Sequence, residues 1–379
     1  MSVLGLLFHA AKRWEHVDLD INNRQGLDIF PDSRAASPNR SLLKSLNLTL
    51  SANFWDFRAR DWLRLGSLVK NATSLRNLAS SDLDYNIEMS FEENRITSLQ
   101  LYDDDYGLKD VFRLFPHLQH LDITLGRPSD SKCPKLSSEL RSATLKSLIV
   151  RIASWRSTPL LSSLRLPSLD SLELLIQLDG SVRDKKPLMS SLETMFRQSS
   201  PPLQSFKIDS GHSLTSLQLL DILSWMPSLT DLSIHVISTV LREGFLAQLT
   251  YIPGSKSLPT YDPEKSTSSV LLPRLKNLEI GINFETDVGR FIPDMDSIIA
   301  MIESRIVYSS LADEIHDDSL VDKLSHLTFL ILYFPYHSER AWAEEFRTTL
   351  KKRLQEHMNQ GFTCTVTAKQ TRVFCTEGL

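Results

Sequence analysis

One short phrase of apolar and polar positions recurs along nearly the whole chain. It reads apolar-x-x-apolar-x-apolar-x-apolar, as in Leu118, Leu121, Ile123 and Leu125. The frame returns at Leu43/Leu46/Leu48/Leu50, Leu145/Leu148/Val150/Ile152, Leu169/Leu172/Leu174/Ile176, Leu229/Leu232/Ile234/Val236, Leu275/Leu278/Ile280/Ile282 and Leu327/Leu330/Leu332/Phe334. Looser copies stand at Trp14/Val17/Leu19/Ile21, Ile96/Leu99/Leu101 and Leu203/Phe206/Ile208, and Leu75/Leu78 is the weakest. Alternation over the last positions of each copy is the period of a strand with one buried face.

Five copies are preceded by Pro-x-Leu in one register, at Pro116, Pro167, Pro201, Pro227 and Pro273. Proline donates no backbone hydrogen bond and biases its predecessor away from the helical region, so each should stop a helix and start a strand. The spacers at Leu108–Phe115, Leu188–Gln198, Leu214–Met226 and Met295–Val307 carry apolar residues at three- and four-residue intervals and predict helices. Strand, turn, helix and return strand, repeated, predict an α/β fold: an irregular leucine-rich-repeat solenoid, or horseshoe, with parallel strands on the concave face and helices on the convex face. The fourth-position anchors are unevenly spaced, from 21 residues (Leu78 to Leu99) to 52 (Leu278 to Leu330), so any arc should curve unevenly. About eleven repeats would fill residues 1–337, interrupted by a polar, breaker-rich loop at 253–269. The acidic stretch Ala312–Asp318 reads as a turn in solvent. Residues 338–379 read as a cap: a helix over Ser338–Asn359 stopped by Gly361, then closing strands at Phe362–Thr367 and Thr371–Cys375.

Charge narrows the partners. With 42 Lys and Arg against 46 Asp and Glu, the balance points to neither nucleic acid nor an anionic membrane. No apolar run approaches the length of a membrane-spanning helix. Ser2–Phe8 lacks the basic start of a signal peptide, and three scattered cysteines (Cys133, Cys364, Cys375) fit a reducing compartment. A cytoplasmic or nuclear location is expected.

Catalytic signatures are missing. The sequence has no Gly-rich phosphate loop, His-Glu-x-x-His or Gly-x-Ser-x-Gly. His117 and His120 diverge at the start of a strand with no third ligand, and Asp103–Asp105 suits a helix cap better than calcium. Trp55 and Trp62 have the spacing of core packing. No catalytic, cofactor-binding or metal-ligating residue is assigned, and the expectation is a protein that binds without catalysis.

Binding would use the in-between positions of each copy, which point to the concave side. They supply the candidate partner-binding residues Asp18, Asp20, Tyr102, Asp122, Arg151, Glu173, Asp231, His235, Glu279 and Tyr333. Across all such positions the fixed charges are seven acidic against two basic, which suits a basic segment of a protein partner. Phe329, Ile331 and Tyr333 would add an apolar patch; the alternative is that Phe329 and Tyr333 lie under the closing helix.

The register and its flanks resemble the leucine-rich-repeat region of F-box proteins from mushroom-type (basidiomycete) fungi. The likeness lies in Leu7–Val17 with its Arg13-Trp14 step, Leu271-Leu-Pro-Arg-Leu-Lys-Asn-Leu278, Ile302-Glu-Ser-Arg305 and Leu350–Val366. It implies the substrate-recognition part of a ubiquitin-ligase receptor. Such proteins carry an upstream F-box, opening Leu-Pro-x-Glu, that docks on a Skp1-type adaptor; this sequence holds no such segment, so adaptor binding is expected only if an upstream F-box exists. The first copy would then leave an open end, suited to missing sequence, a partner or a homodimer. A repeat scaffold with no ubiquitin link is the alternative.

Overall fold

A computed structural model describes residues 14–21, 42–50, 72–80, 95–101, 108–125, 139–176, 186–211, 214–241, 243–250, 271–284, 294–315, 324–333 and 337–370. The loop at 253–269, Trp55, Trp62 and the strand expected at Thr371–Cys375 lie outside these. The chain divides into two compact units: Met1–Leu169 with Arg197–Pro201, and Asp170–Phe196 with Pro202–Leu379.

The first unit contains β1 (His16–Ile21), β2 (Ser45–Leu50), β3 (Asn77–Ser80) and β4 (Ser98–Leu101), then helix α1 (Leu108–Leu114), β5 (His120–Leu125), the short β6 (Leu140–Arg141) and β7 (Ser147–Ile152). A one-turn helix α2 (Pro159–Ser162) and β8 (Leu164–Arg165) follow. Strands β1 to β5 and β7 pair in that order, all parallel. β6 and β8 form their own two-residue parallel pair.

The second unit runs β9 (Ser171–Ile176), most of α3 (Lys186–Ser199), β10 (Ser205–Gly211), α4 (Ser216–Ser224), β11 (Asp231–Ile237) and α5 (Glu243–Leu249). It continues with β12 (Asn277–Asn283), α6 (Met295–Ile315), β13 (His326–Tyr333), α7 (His337–Arg353), α8 (Gln355–Asn359) and β14 (Thr363–Gln370). Strands β9 to β14 are again parallel and in chain order. The protein is therefore α/β, built from parallel strands connected by helices and loops.

The repeated phrase has a repeated geometry. In the described copies the fourth-position residue is buried, as at Leu46, Leu99, Leu121, Leu172, Phe206 and Leu278, except for half-buried Val17 and Leu330. Four of the five Pro-x-Leu steps are four-residue turns with proline in the second place. Leu118 N donates to Phe115 O at 3.1 Å, Leu169 N to Leu166 O at 3.2 Å, Leu229 N to Met226 O at 3.1 Å and Leu275 N to Leu272 O at 3.3 Å. Proline's fixed φ suits that position, so it shapes the turn as well as ending the helix. One residue on, a single carbonyl accepts two successive N–H groups of the following strand. Gln119 O takes Lys146 N and Ser147 N, and Thr230 O takes Lys276 N and Asn277 N. This doubly used carbonyl recurs along both units and sets the register of each new strand.

One face of each sheet is packed by the connections. Val111 and Phe115 are buried in the first unit. In the second, Leu219, Ile222 and Leu223 of α4, Phe245 and Leu249 of α5, Ile298, Ile302 and Ile306 of α6, and Phe346 and Leu350 of α7 are buried. Thr215 caps α4 through a reciprocal pair with Gln218.

The C-terminal part departs from expectation in three places. Helix α6 continues to Ile315, through part of the stretch expected to turn in solvent. The closing helix breaks at Leu354, separating α7 from α8; Gly361, with φ 98°, is the residue that ends it. In β13 the pairs are Leu278 with Leu327, Ile280 with Phe329 and Ile282 with Ile331. The buried set among the described side chains is thus Leu324, Leu327, Phe329 and Ile331, and Leu330 is half-exposed. A strand apolar at consecutive positions offers no alternation to choose its face. Packing chooses it: Phe329 meets Phe346 of α7 edge to face, ring centroids 5.0 Å apart, and Phe346 stacks on Trp342 at 5.1 Å. Phe329 thus lies under the closing helix, the alternative to an apolar patch on the open face, where Thr328 and Leu330 stand instead.

Candidate functional site

In each unit, the strand face opposite the packed core carries the in-between residues, half-exposed in alternation with buried ones. In the first unit, Asp18 is exposed and its Oδ1 accepts from Asn47 Nδ2 at 3.1 Å, one strand over. Asp122 accepts from Gln100 Nε2 at 2.9 Å on one side and from Arg151 on the other, an ion pair with both side chains largely shielded. Three predicted site residues are thereby drawn into local networks. The backbones of Asp20 and Tyr333 belong to β1 and β13, but their side chains, and Tyr102 altogether, lie outside the described residues.

In the second unit the parallel register aligns these residues into rows running across the strands. The row nearest the strand starts is Ser171, Ser205, Asp231, Asn277, His326 and Thr363. The next is Glu173, Lys207, Ser233, Glu279, Thr328 and Thr365, and the third Leu175, Asp209, His235, Gly281, Leu330 and Thr367.

Hydrogen bonds link neighbours along and between rows. Asp231 accepts from Asn277 Nδ2 and, at 2.5 Å, from Thr230 Oγ1. Lys207 Nζ lies 2.9 Å from Glu173. Ser233 Oγ donates to Glu279 Oε2 at 2.7 Å, and His235 Nε2 lies 3.3 Å from Glu279 Oε1. Burial pushes the Glu279 carboxyl up, but the hydrogen bonds from Ser233 and His235, and the charges of His235 and Lys207, outweigh it and hold it below the usual range.

Gly281 permits that arrangement. A Cβ built there would lie 2.7 Å from His235 Cδ2 and 2.8 Å from Cγ, so the imidazole can lie across the strand only because the position is glycine. Sequence reasoning placed Glu279, His235 and Gly281 on one face; it missed that Ser233 and His235 converge on the same carboxylate, 46 and 44 residues away in the chain. Nor did it pair Lys207 with Glu173.

Among the described residues no group of three or more His, Cys, Asp or Glu side chains is placed to hold a metal ion, and no helix is long and apolar enough to cross a membrane. No family model matches this chain, and no curated protein matches it. Among solved structures, a protein of Bacteroides fragilis aligns over 91% of this chain and 70% of its own, at 13% identity and a TM-score of 0.37.

Proposed function

We propose that this protein is a non-catalytic protein-binding module, each unit an arc of irregular leucine-rich repeats whose open, concave strand face receives the partner. The carrying observation is the second unit's open face, where six parallel strands present aligned rows of half-exposed polar side chains already ordered by cross-strand hydrogen bonds. Ordering before binding lowers the entropic cost of association, which favours recognition. The resemblance to F-box leucine-rich-repeat regions extends the reading to the substrate-recognition part of a ubiquitin-ligase receptor. That extension requires a Skp1-type adaptor site outside the residues described.

A photo-crosslinking amino acid placed in turn at Thr365 and Ser205 on the open face, and at Gln248 and Glu345 on the helix side, tests the site in cells. Discrete protein adducts from the first pair alone support the reading; adducts from the helix side alone, or none, reject it. Co-purification of the tagged chain, expressed from its own locus, with a Skp1-type adaptor tests the ubiquitin link separately.

A further inference from the structure

The open face of the second unit joins a mid-strand glycine to an uneven charge. Gly281 sits in the interior of β12, where a glycine weakens a strand and marks close approach by a ligand or another backbone. Here the close approach is that of the His235 ring, which lies across Gly281 toward Glu279 in the space a Cβ would take. Around it the described carboxylates of the face are Glu173, Asp209, Asp231 and Glu279 against one fixed positive charge, Lys207, which Glu173 already engages. Asp209 is exposed, pairs in register with His235, and makes no ion pair among the described residues.

We propose that this face, centred on Gly281, receives an extended basic segment of a protein partner, with a lysine or arginine side chain seated between Asp209 and Glu279. The proposal rests on the reading of the open face as a protein-binding surface and names the chemistry it selects. Charge complementarity chooses the occupant, since Lys207 is the only fixed positive charge among the described side chains of the face and is neutralised in place. Glu279 is held ionised and oriented by Ser233 and His235, so an incoming cation meets a preformed acceptor. From Asp209 in β10 to Leu330 in β13 the third row crosses three strand intervals, about 14 Å, which about four extended residues span. Leu330, at the far end of that row, offers an apolar contact for a residue next to the cation.

Random peptides displayed on phage, selected on the purified full-length chain, supply the probe. Enriched peptides are then titrated against the wild type, Asp209→Asn, Glu279→Gln, Ser205→Arg and the helix-side control Glu344→Gln, with melting curves to confirm that each variant is folded. Enriched sequences should carry lysine or arginine, lose roughly tenfold or more in affinity on either neutralisation, show a flatter salt dependence there, and ignore Glu344→Gln. Gly281→Ala, which must displace the His235 ring, should weaken them too. Neutral or acidic peptides whose binding is lost with Ser205→Arg would overturn the basic-segment proposal while leaving the open face as the binding surface. Peptides indifferent to every open-face change would overturn both, and a selection that enriches nothing overturns the proposal as well.

Discussion

Arg305 of α6 donates its Nε hydrogen to the carbonyl of Leu249, at the end of α5, over 2.7 Å. The same guanidinium reaches Leu271 O at 2.6 Å and Leu272 O at 3.0 Å, so one buried side chain ties together the two ends of the connection between α5 and β12. Leu272 has φ 56°, a left-handed conformation unfavourable for leucine, and is held there with its side chain buried. No carboxylate among the described residues answers the charge. Carbonyls do, and burial pushes the guanidinium pKa down to about 10, still charged at neutral pH.

Arg305→Met should leave these carbonyls without their donors, a cost of about 1–3 kcal/mol for each one that water cannot reach. Arg305→Lys keeps the charge but cannot span three acceptors, and should recover part of the loss. Urea unfolding of both variants measures this; a midpoint unchanged by Arg305→Met would show that the clamp contributes nothing.

The corrected register of β13 is testable in the same way. Phe329→Ala removes a ring packed on Phe346 and should cost about 3–5 kcal/mol, whereas Leu330→Thr, on the half-exposed face, should cost under about 1 kcal/mol. Equal costs would restore the register in which Leu330 is the buried anchor.

That strand shows where sequence reasoning stops. The strands of both units were legible because period-2 alternation and a fixed anchor agree, and even the weak copy at Leu75/Leu78 is β3. Between Leu327 and Phe334 both parities are apolar, so the face is decided by Phe346 and Trp342, which arrive from another element. Helix α5 follows a 3-10 turn, and β6 and β8 are two residues long, too short for any period to register. Of the candidate site, the face was legible and the contacts were not. Which carboxylate Ser233 meets depends on the pairing of β11 with β12, strands far apart in the chain. Arg305 stood in a motif with no assigned role because its partners are main-chain carbonyls, which no sequence pattern reveals.

Ser210 precedes Gly211 where the pairing of β10 with β11 shifts register. Its side chain is fully buried, and its hydroxyl has no hydrogen-bond partner among the described residues. An unsatisfied buried hydroxyl is destabilising. Ser210→Ala should therefore leave stability unchanged or raise it by up to about 1 kcal/mol. A clear loss in thermal or urea midpoint would reveal a partner for the hydroxyl.

Glu279 couples the open face to pH. Burial raises its pKa, but hydrogen bonds from Ser233 and His235 and the nearby charges of His235 and Lys207 prevail, so the folded value lies below the ordinary glutamate value of 4.5. A carboxyl depressed on folding binds fewer protons in the native state, so its contribution is complete above the unfolded pKa and disappears as pH falls through the folded one. Wild type should therefore exceed Glu279→Gln in stability at pH 6, with the gap closing as pH drops through and below about 4.5. The side chain is 38% exposed, so solvent screens the pair and the gap should be small. Urea midpoints for both proteins between pH 7 and pH 3 give the comparison. A gap that stays constant, or widens in acid, would mean that Ser233 and His235 do not hold the carboxylate in its ionised form.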